Sequence, residues 1–166
     1  MIDPQTMRNT LRLWASGVSV VTSIHEGVQA GMTVSAFNSL SVDPGQVLVC
    51  LLKTATAAGV VRAGGRFAIS ILGEDAGGLS DRFAGRIPFA EGEDKFTGIE
   101  TQIAVTGAPI LSAAIAWLDC TVKEIHDGTT HDIVIGTVEA AGYHENALPL
   151  VYFDRAYRAL DMGDGA

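Results

Sequence analysis

The chain has 166 residues, of which 48% are hydrophobic and 18% charged, and its mean hydropathy is +0.28. This composition excludes intrinsic disorder, and the length predicts one domain over residues 1–166 with a core of about residues 7–160. Nineteen Asp and Glu against eleven Lys and Arg give a net charge of −8, which disfavours nucleic acid and anionic membranes as partners. No apolar run reaches about 18 residues and the N-terminus carries no secretion signal, so we expect a cytoplasmic protein.

Apolar periodicity divides the chain into short strands and about three short helices. Met7, Leu11 and Trp14 recur at helical spacing, whereas β-branched runs between turn residues predict strands. The predicted elements are a helix over residues 6–15, strands over 18–24 and 28–34, an irregular polar segment over 36–43, a strand over 46–52 that is covered on both faces, a helix from the N-cap Thr54 to Gly64, a strand over 66–72, a helix over 75–84, a loop over 85–98, a hairpin of strands 115–126 and 131–140 that turns at Asp127-Gly128, and a last strand over 148–153. These elements predict a mainly β fold with short helices, a small barrel with helices packed at its ends.

The residue types that usually carry catalysis show no recognisable pattern. Cys50 and Cys120 lie in separate apolar runs, so we expect two buried thiols without a disulfide. The four histidines lack metal-ligand spacing, so no metal site is expected. The sequence has no Gly-x-Gly-x-x-Gly, phosphate loop or nucleophile elbow. We therefore expect no catalytic acid, base or nucleophile, and any catalysis is assigned to a bound cofactor.

Residues 31–41 follow an apolar strand and present five small hydrogen-bonding side chains within nine residues. Hydroxyl and amide groups at this density can line a cleft that accepts a flat heteroaromatic ring with polar edges. The alternative is a Ser/Thr-rich surface loop whose side chains cap its own backbone.

The segment Lys53-Thr54-Ala55-Thr56 directly follows a predicted strand and opens a predicted helix. Free N–H groups, the helix dipole, two hydroxyls and a lysine together predict a phosphate site. The alternative is a simple N-cap, which Thr54 alone satisfies. Taken with the polar wall, this segment predicts a ligand of the size of flavin mononucleotide.

Several motifs in a fixed order resemble the flavin reductase-like family, and the resemblance covers nearly the whole chain. The matching stretches are residues 14–22, residues 31–41 with Asp43-Pro44, residues 47–56, Asp81-Arg82-Phe83-Ala84, Asp94-Lys95-Phe96, residues 131–136 and residues 149–157. One departure is the hairpin turn, where Thr129 and Thr130 separate Gly128 from His131, whereas many relatives leave a single residue there.

The resemblance implies an FMN-binding split β-barrel that forms a homodimer, with its sites at or near the interface. It implies that the flavin ring and ribityl chain lie against Met32, Thr33, Val34, Ser35, Ala36, Asn38 and Ser39. It implies that Lys53, Thr54, Ala55 and Thr56 hold the flavin phosphate. It implies a nicotinamide nucleotide site at His131, Tyr152, Phe153, Asp154 and Arg155.

The function that follows from the resemblance is an NAD(P)H:flavin oxidoreductase, the reductase component that supplies reduced flavin to a partner monooxygenase. Its cofactors are FMN or FAD, with NADH or NADPH as the electron donor. Two alternatives remain, an FMN-binding electron carrier without nicotinamide turnover and a barrel that binds a ligand other than flavin. The residues do not distinguish FMN from FAD or NADH from NADPH.

Overall fold

The computed structural model describes residues 1–163 and contains short helices around antiparallel strands. The helices are α1 (Pro4–Leu11), α2 (Thr56–Gly64) and α3 (Gly77–Phe83). The strands are β1 (Ser16–Gly17), β2 (Ser19–His25), β3 (Val28–Val34), β4 (Phe37–Val42), β5 (Gly45–Leu52), β6 (Arg66–Leu72), β7 (Thr101–Gln102), β8 (Ile110–Leu111), β9 (Ala114–Gly128), β10 (His131–Tyr143), β11 (Val151–Phe153) and β12 (Ala156–Arg158). The prediction of a mainly β fold with short helices is confirmed.

Seven of the strands form one antiparallel sheet in the order β3-β2-β6-β9-β10-β5-β4. The sheet curves around one core, because strands from both ends of this order contribute side chains to the same cluster, Val34 from β3 and Val49 from β5 among them. The Cys50 amide of β5 also donates a hydrogen bond to the Ala36 carbonyl, just beyond β3. The two ends of the sheet therefore face one another, and residues 32–36 lie at the opening between them.

Strand β5 alternates between a buried and an outward face. Val47, Val49 and Leu51 are almost completely buried, whereas Leu52 is 39% exposed, and Leu48 and Cys50 are only half-buried. The prediction that both faces of this strand are covered is wrong for the single chain, because nothing within residues 1–163 packs fully over the outward face.

Residues 36–43 form strand β4 for most of their length, so the prediction of an irregular segment is wrong. Asn38 pairs with Leu48 and Ser39 with Val47. The polar side chains misled the prediction because β4 is the edge strand of the sheet, where one row of side chains remains in water.

The β9–β10 hairpin turns at Thr129-Thr130 and not at Asp127-Gly128, since Gly128 pairs with His131. Thr129 has φ 69°, and its amide donates to the Asp127 carboxylate at 2.8 Å. Position 128 has no room for a side chain, because a Cβ there would lie 2.9 Å from the His131 carbonyl oxygen. Only glycine fits there without a shift of the backbone.

Helix α1 is shorter than predicted and buries none of its residues. Helix α2 begins at Thr56 with Ala55 as its N-cap, so the prediction of Thr54 as N-cap is wrong. Within residues 1–163, no helix has the length and apolarity needed to cross a bilayer.

Candidate functional site

The central cleft runs along the end of β3 and has a volume of about 460 Å³. Its floor is residues 32–36, of which Ser35 and Ala36 are exposed. Thr33 is fixed from behind, since its hydroxyl donates to the Ser80 carbonyl at 2.6 Å. The lining residues are Met32, Thr33, Val34, Ser35, Ala36, Cys50, Gly128, His131 and Ile133.

The helix α2 cleft adjoins the central cleft, because Gly31 lines the first and Met32 the second. It has a volume of about 410 Å³ and includes residues 54–57, which surround the first turn of α2. Ala55 supplies no side-chain cap, so the first N–H groups of the helix are available to a ligand. The hydroxyls of Thr54 and Thr56 are exposed beside them.

The cation of the helix α2 cleft is Lys95. Its ammonium donates to the carbonyl oxygens of Phe83 at 2.7 Å and Gly31 at 3.2 Å. Burial lowers the pKa of Lys95 below its ordinary value of 10.5. Lys95 forms no ion pair within residues 1–163, although the Asp94 carboxylate also lines this cleft, so the ammonium remains available to an anion.

Lys53 points away from the helix α2 cleft. Its ammonium bonds to the Asp127 carboxylate and, at 2.9 Å, to the Thr129 carbonyl oxygen. This contact lowers the pKa of Asp127. Lys53 thus holds the β9–β10 turn, and its assignment to the flavin phosphate stays a prediction.

His131 lies in the central cleft opposite residues 32–36. Its Nδ1 atom is 2.9 Å from the Thr130 hydroxyl, an interaction that orients the imidazole. The longer turn before His131 therefore does not remove it from the cleft.

The helix α1 cleft is the largest of the group, about 690 Å³. Ser35 and Ala36 line both this cleft and the central one, so the two clefts are continuous. Its lining residues are Gln5, Arg8, Leu11, Arg12, Trp14, Ser16, Ser35, Ala36, Asn38, Tyr152 and Arg155. Of the remaining predicted residues, Ser39, Phe153 and Asp154 line none of these three clefts within residues 1–163.

A partly buried hydrogen-bond network lies behind residues 32–36 and supports them. The Tyr157 hydroxyl donates to Asp81 at 2.7 Å and contacts Ser80 Oγ at 2.9 Å. The hydrogen bond from Tyr157 is the largest contribution that lowers the pKa of Asp81. Arg86 bonds to the same carboxylate at 2.9 Å, so β12 and α3 are joined directly behind Thr33.

The sequence prediction missed Arg8, Arg12 and Lys95 as residues of these clefts, and it missed Arg86 as a partner of Asp81 behind Thr33. Lys95 had a signal, because Asp94-Lys95-Phe96 is one of the family-like motifs. For Arg8 and Arg12 the signal in the sequence was weaker. Their spacing of four residues indicates only that the two side chains share one helical face. Arg86 lies in a stretch predicted as a loop, and the fold alone brings it to Asp81.

A curved β-sheet with a polar wall, a helix N-terminus without a side-chain cap and a half-buried ammonium is suited to bind a planar, phosphorylated cofactor. The sequence pattern of the family described as "Flavin reductase like domain" matches residues 11–161. The chain belongs to the flavin reductase-like family, and its enzymatic class, a flavin oxidoreductase, is confirmed.

Named relatives agree with this membership. The chain is 37% identical over 139 residues to the reductase subunit HsaB of a flavin-dependent monooxygenase from Mycobacterium tuberculosis, covering 84% of this chain and 72% of the relative. It is 37% identical over 153 residues to the FMN reductase (NADH) RutF of Agrobacterium fabrum, covering 92% of this chain and 86% of the relative.

A solved structure shows the same fold. The Streptomyces globisporus NADH:FAD oxidoreductase SgcE6, in complex with NAD and FAD fragments, superposes with a TM-score of 0.87 at 26% identity. The superposition covers 99% of this chain and 98% of that one.

Proposed function

We propose that this chain reduces FMN or FAD with NADH or NADPH and supplies the reduced flavin to a partner monooxygenase. The observation that carries the proposal is the continuity of the clefts along β3. The helix α2 cleft ends at Gly31, the central cleft spans residues 32–36, and the helix α1 cleft begins at Ser35. One extended ligand and a second one beside it can therefore share a single groove.

The residues present fit a flavin phosphate in the helix α2 cleft. The N–H groups of the first turn of α2, the hydroxyls of Thr54 and Thr56, and the Lys95 ammonium converge on this cleft. All of these groups are hydrogen-bond donors, and the helix dipole adds positive potential, so the cleft favours a dianionic phosphate. In the proposal, Lys95 supplies the charge and Ala55 lines the cleft beside it.

The central cleft fits the flavin ring. Backbone groups of residues 32–36 and the side chain of Ser35 offer donors and acceptors to the polar edge of a ring, and Asn38 lies in the adjoining helix α1 cleft. The bond from Thr33 to Ser80 keeps this wall rigid, which preorganises those donors. The bound flavin supplies the redox chemistry, by accepting a hydride from the nicotinamide ring of the donor. The chain contributes orientation and exclusion of water, with no side chain acting as acid or base.

His131 is proposed to orient the nicotinamide ring. It faces residues 32–36 across the central cleft, so a ring stacked on the flavin lies within its reach. Tyr152 and Arg155 line the adjoining helix α1 cleft and continue the donor site. Asp154 acts through Arg12, to which it is bound at 3.2 Å.

A homodimer is the proposed assembly. The outward side chains of β5 and β10 form an apolar strip, with Cys50 opposite Ile133 and Leu48 opposite Ile135 in the strand register. Cys50 and Ile133 also line the central cleft, so a second copy on this strip borders the flavin site. The two free thiols, Cys50 and Cys120, fit the reducing cytoplasm that we propose as the location.

Anaerobic mixing of the flavin-loaded protein with NADH tests the proposed function. A reductase bleaches the yellow flavin absorbance in a single rapid phase, and NADPH serves as the second donor. Persistence of the colour with both donors identifies an electron carrier instead. A purified protein that binds neither FMN nor FAD in a fluorescence titration rejects the flavin site altogether.

A further inference from the structure

The segment that carries Lys95 has no helix or strand of its own. Helix α3 ends at Phe83, and the next strand, β7, begins at Thr101. Between them, the backbone hydrogen bonds of residues 87–99 are local, such as the one from the Glu93 amide to the Ala90 carbonyl at 3.1 Å. The place of such a segment depends on the few contacts that attach it to the rest of the fold.

The side chains of Arg82 and Lys95 supply the hydrogen bonds of that attachment. Among residues 1–163, these two side chains make every hydrogen bond that joins residues 87–99 to the remainder of the chain. Arg82 Nε donates to the Lys95 carbonyl at 2.8 Å, and its Nη2 donates to the carbonyls of Asp94 at 2.9 Å and Thr97 at 2.7 Å. A planar guanidinium has its donors at fixed angles, so it fixes the three carbonyls relative to one another.

The last turn of α3 holds Lys95 at both ends of the lysine side chain. The Arg82 guanidinium binds the backbone carbonyl of Lys95, and the carbonyl of the next residue, Phe83, accepts from the Lys95 ammonium at 2.7 Å. Phe83 is completely buried, and the Phe96 ring meets it edge-on with 5.2 Å between the ring centroids. The segment around Lys95 is therefore anchored on the core through α3.

Arg82 achieves this without an acidic partner. Its three acceptors are neutral carbonyls, and it forms no ion pair within residues 1–163. The Asp94 carboxylate, which lines the helix α2 cleft, accepts instead from the amides of Phe96 and Thr97, both at 2.9 Å. The anchoring of the segment thus leaves the Lys95 ammonium without a carboxylate contact.

We infer that Arg82 is a positioning residue of the flavin phosphate site, which holds the backbone of residues 94–97 so that the Lys95 ammonium faces the first turn of α2. This inference rests on the proposed function, because Lys95 is the cation proposed for the phosphate. Arg82 is not among the residues 1–163 that line the helix α2 cleft, so it acts through Lys95 and not on the ligand. A lysine held in place beforehand loses less side-chain freedom when the phosphate binds.

A purely structural arginine would have different consequences. Its loss would lower the melting temperature and weaken every ligand of the clefts alike. A positioning arginine acts through one ammonium, so its loss weakens FMN, which carries a phosphate, and spares riboflavin, which does not. The ratio of the two affinities therefore separates the two roles.

Chemical labelling tests the positioning in the ligand-free protein. A limiting dose of acetic anhydride acetylates lysines according to their accessibility, and mass spectrometry of the peptides compares Lys95 with the exposed Lys123. Arg82→Gln raises the labelling of Lys95 relative to Lys123 several-fold, because the ammonium leaves its two carbonyls. Lys53, which is bonded to Asp127 far from this segment in sequence, keeps its labelling and shows that the fold is intact. An unchanged Lys95 to Lys123 ratio overturns the inference.

A double-mutant cycle tests the consequence for binding. Fluorescence titrations give the affinities of FMN and riboflavin, and Arg82→Gln lowers their ratio about fivefold or more, up to the loss caused by Lys95→Met. In the Lys95→Met background, Arg82→Gln lowers the ratio no further. Arg82→Lys keeps the positive charge but not the planar fork, so it also lowers the ratio, and it carries the test if Arg82→Gln does not fold. Lys123→Gln is the control for the loss of one exposed charge on β9.

The outcomes separate this inference from the proposed function. A ratio equal to that of the parent in the arginine variants overturns the inference, and so does an additive loss in the double variant, since Arg82 would then act independently of Lys95. An unchanged ratio in Lys95→Met contradicts the proposed phosphate site instead. The labelling experiment contains no flavin, so it still decides in that case whether Arg82 positions Lys95.

Discussion

The Lys95 ammonium lies 2.7 Å from the carbonyl oxygen of Phe83, at the C-terminal end of α3. This contact and the bond to Gly31 hold the cation between α3 and β3, facing the first turn of α2. Both partners are neutral, so the charge is positioned without being neutralised. The site is built before any ligand arrives, which lowers the ordering cost of binding a phosphate.

Replacing Lys95 by methionine is expected to weaken FMN binding about tenfold or more, because a charge-assisted hydrogen bond to the phosphate is lost. Riboflavin has no phosphate, so its affinity should change far less. Fluorescence titration with both ligands measures the difference. Lys123→Met is the control for loss of one positive charge at a distance, and an equal effect on FMN and riboflavin would show that Lys95 only shapes the fold.

The lowered pKa of Lys95 predicts how FMN binding depends on pH. Burial disfavours the charged ammonium, so Lys95 loses its proton below the ordinary value of 10.5, and the FMN affinity should begin to fall in that range. In the ligand-free protein Lys95 holds its proton in the unfolded chain and loses it in the folded one, so the free energy of unfolding of the parent relative to the Lys95→Met variant should rise as pH rises towards 10.5. Urea unfolding and FMN titration of both proteins over this range check both signs, because the contribution of groups they share, such as the buried Cys120 thiol with its raised pKa, cancels in the difference.

Thr56→Ala is expected to weaken FMN binding by about 1–2 kcal/mol, the usual value of one hydroxyl–anion hydrogen bond. Thr56 is exposed at the start of α2, and Ala55 rather than Thr56 is the N-cap. Helix stability should therefore change little. Parallel titrations and thermal melts separate the two effects, and Thr56→Ser should retain most of the affinity. A lower melting temperature with unaltered FMN affinity would assign Thr56 to the fold alone.

His131→Ala is expected to slow flavin reduction by NADH and to leave flavin affinity intact. The imidazole lies across the central cleft from residues 32–36 and is oriented by Thr130. Anaerobic stopped-flow at several NADH concentrations measures the rate of bleaching and its half-saturation point. His126 is the matched control, since it lies exposed on β9 and bonds to Glu124 at 2.9 Å. Bleaching at the same rate in parent and His131→Ala would remove His131 from the site.

The strands of the seven-stranded sheet could largely be predicted because they are β-branched and bounded by turns, as β2 and β3 are around Glu26-Gly27. Strand β4 could not, since Asn38, Ser39 and Ser41 give an edge strand the composition of a loop. The hairpin was shifted by two residues because Asp127-Gly128 is a strong turn signal. The long-range contact from Lys53 to Thr129 stabilises the turn that actually forms.

The polar stretch of residues 32–36 and the presence of a helix after residue 53 could be predicted because each is a continuous stretch of sequence, although the N-cap is Ala55 and not Thr54. The cation of the proposed phosphate site could not be identified from neighbouring residues in the sequence. Lys53 is adjacent to the helix in sequence but bonds to Asp127, whereas Lys95 comes from a distant loop and reaches Gly31. The extent of the domain, residues 1–166 with a core of about 7–160, stays a prediction.

Gly136→Ala is expected to destabilise the protein by about 1–3 kcal/mol through overpacking of the core. A Cβ at Gly136 would overlap the fully buried Phe67 ring, lying 2.8 Å from its Cε1 atom and closer to Cζ. Gly45→Ala is the control, because the nearest atom to its Cβ, on Val138, is at an ordinary 3.4 Å. Chemical denaturation of both variants measures the difference, and Phe67→Leu should recover part of the loss in the Gly136→Ala background. Because Gly136 pairs with Val47 on β5, a strand that moved to relieve the overlap would also shift Cys50 in the central cleft. Weakened flavin binding together with unchanged stability would therefore show that the paired strands move to relieve the overlap, while the packing of the core around Phe67 is kept.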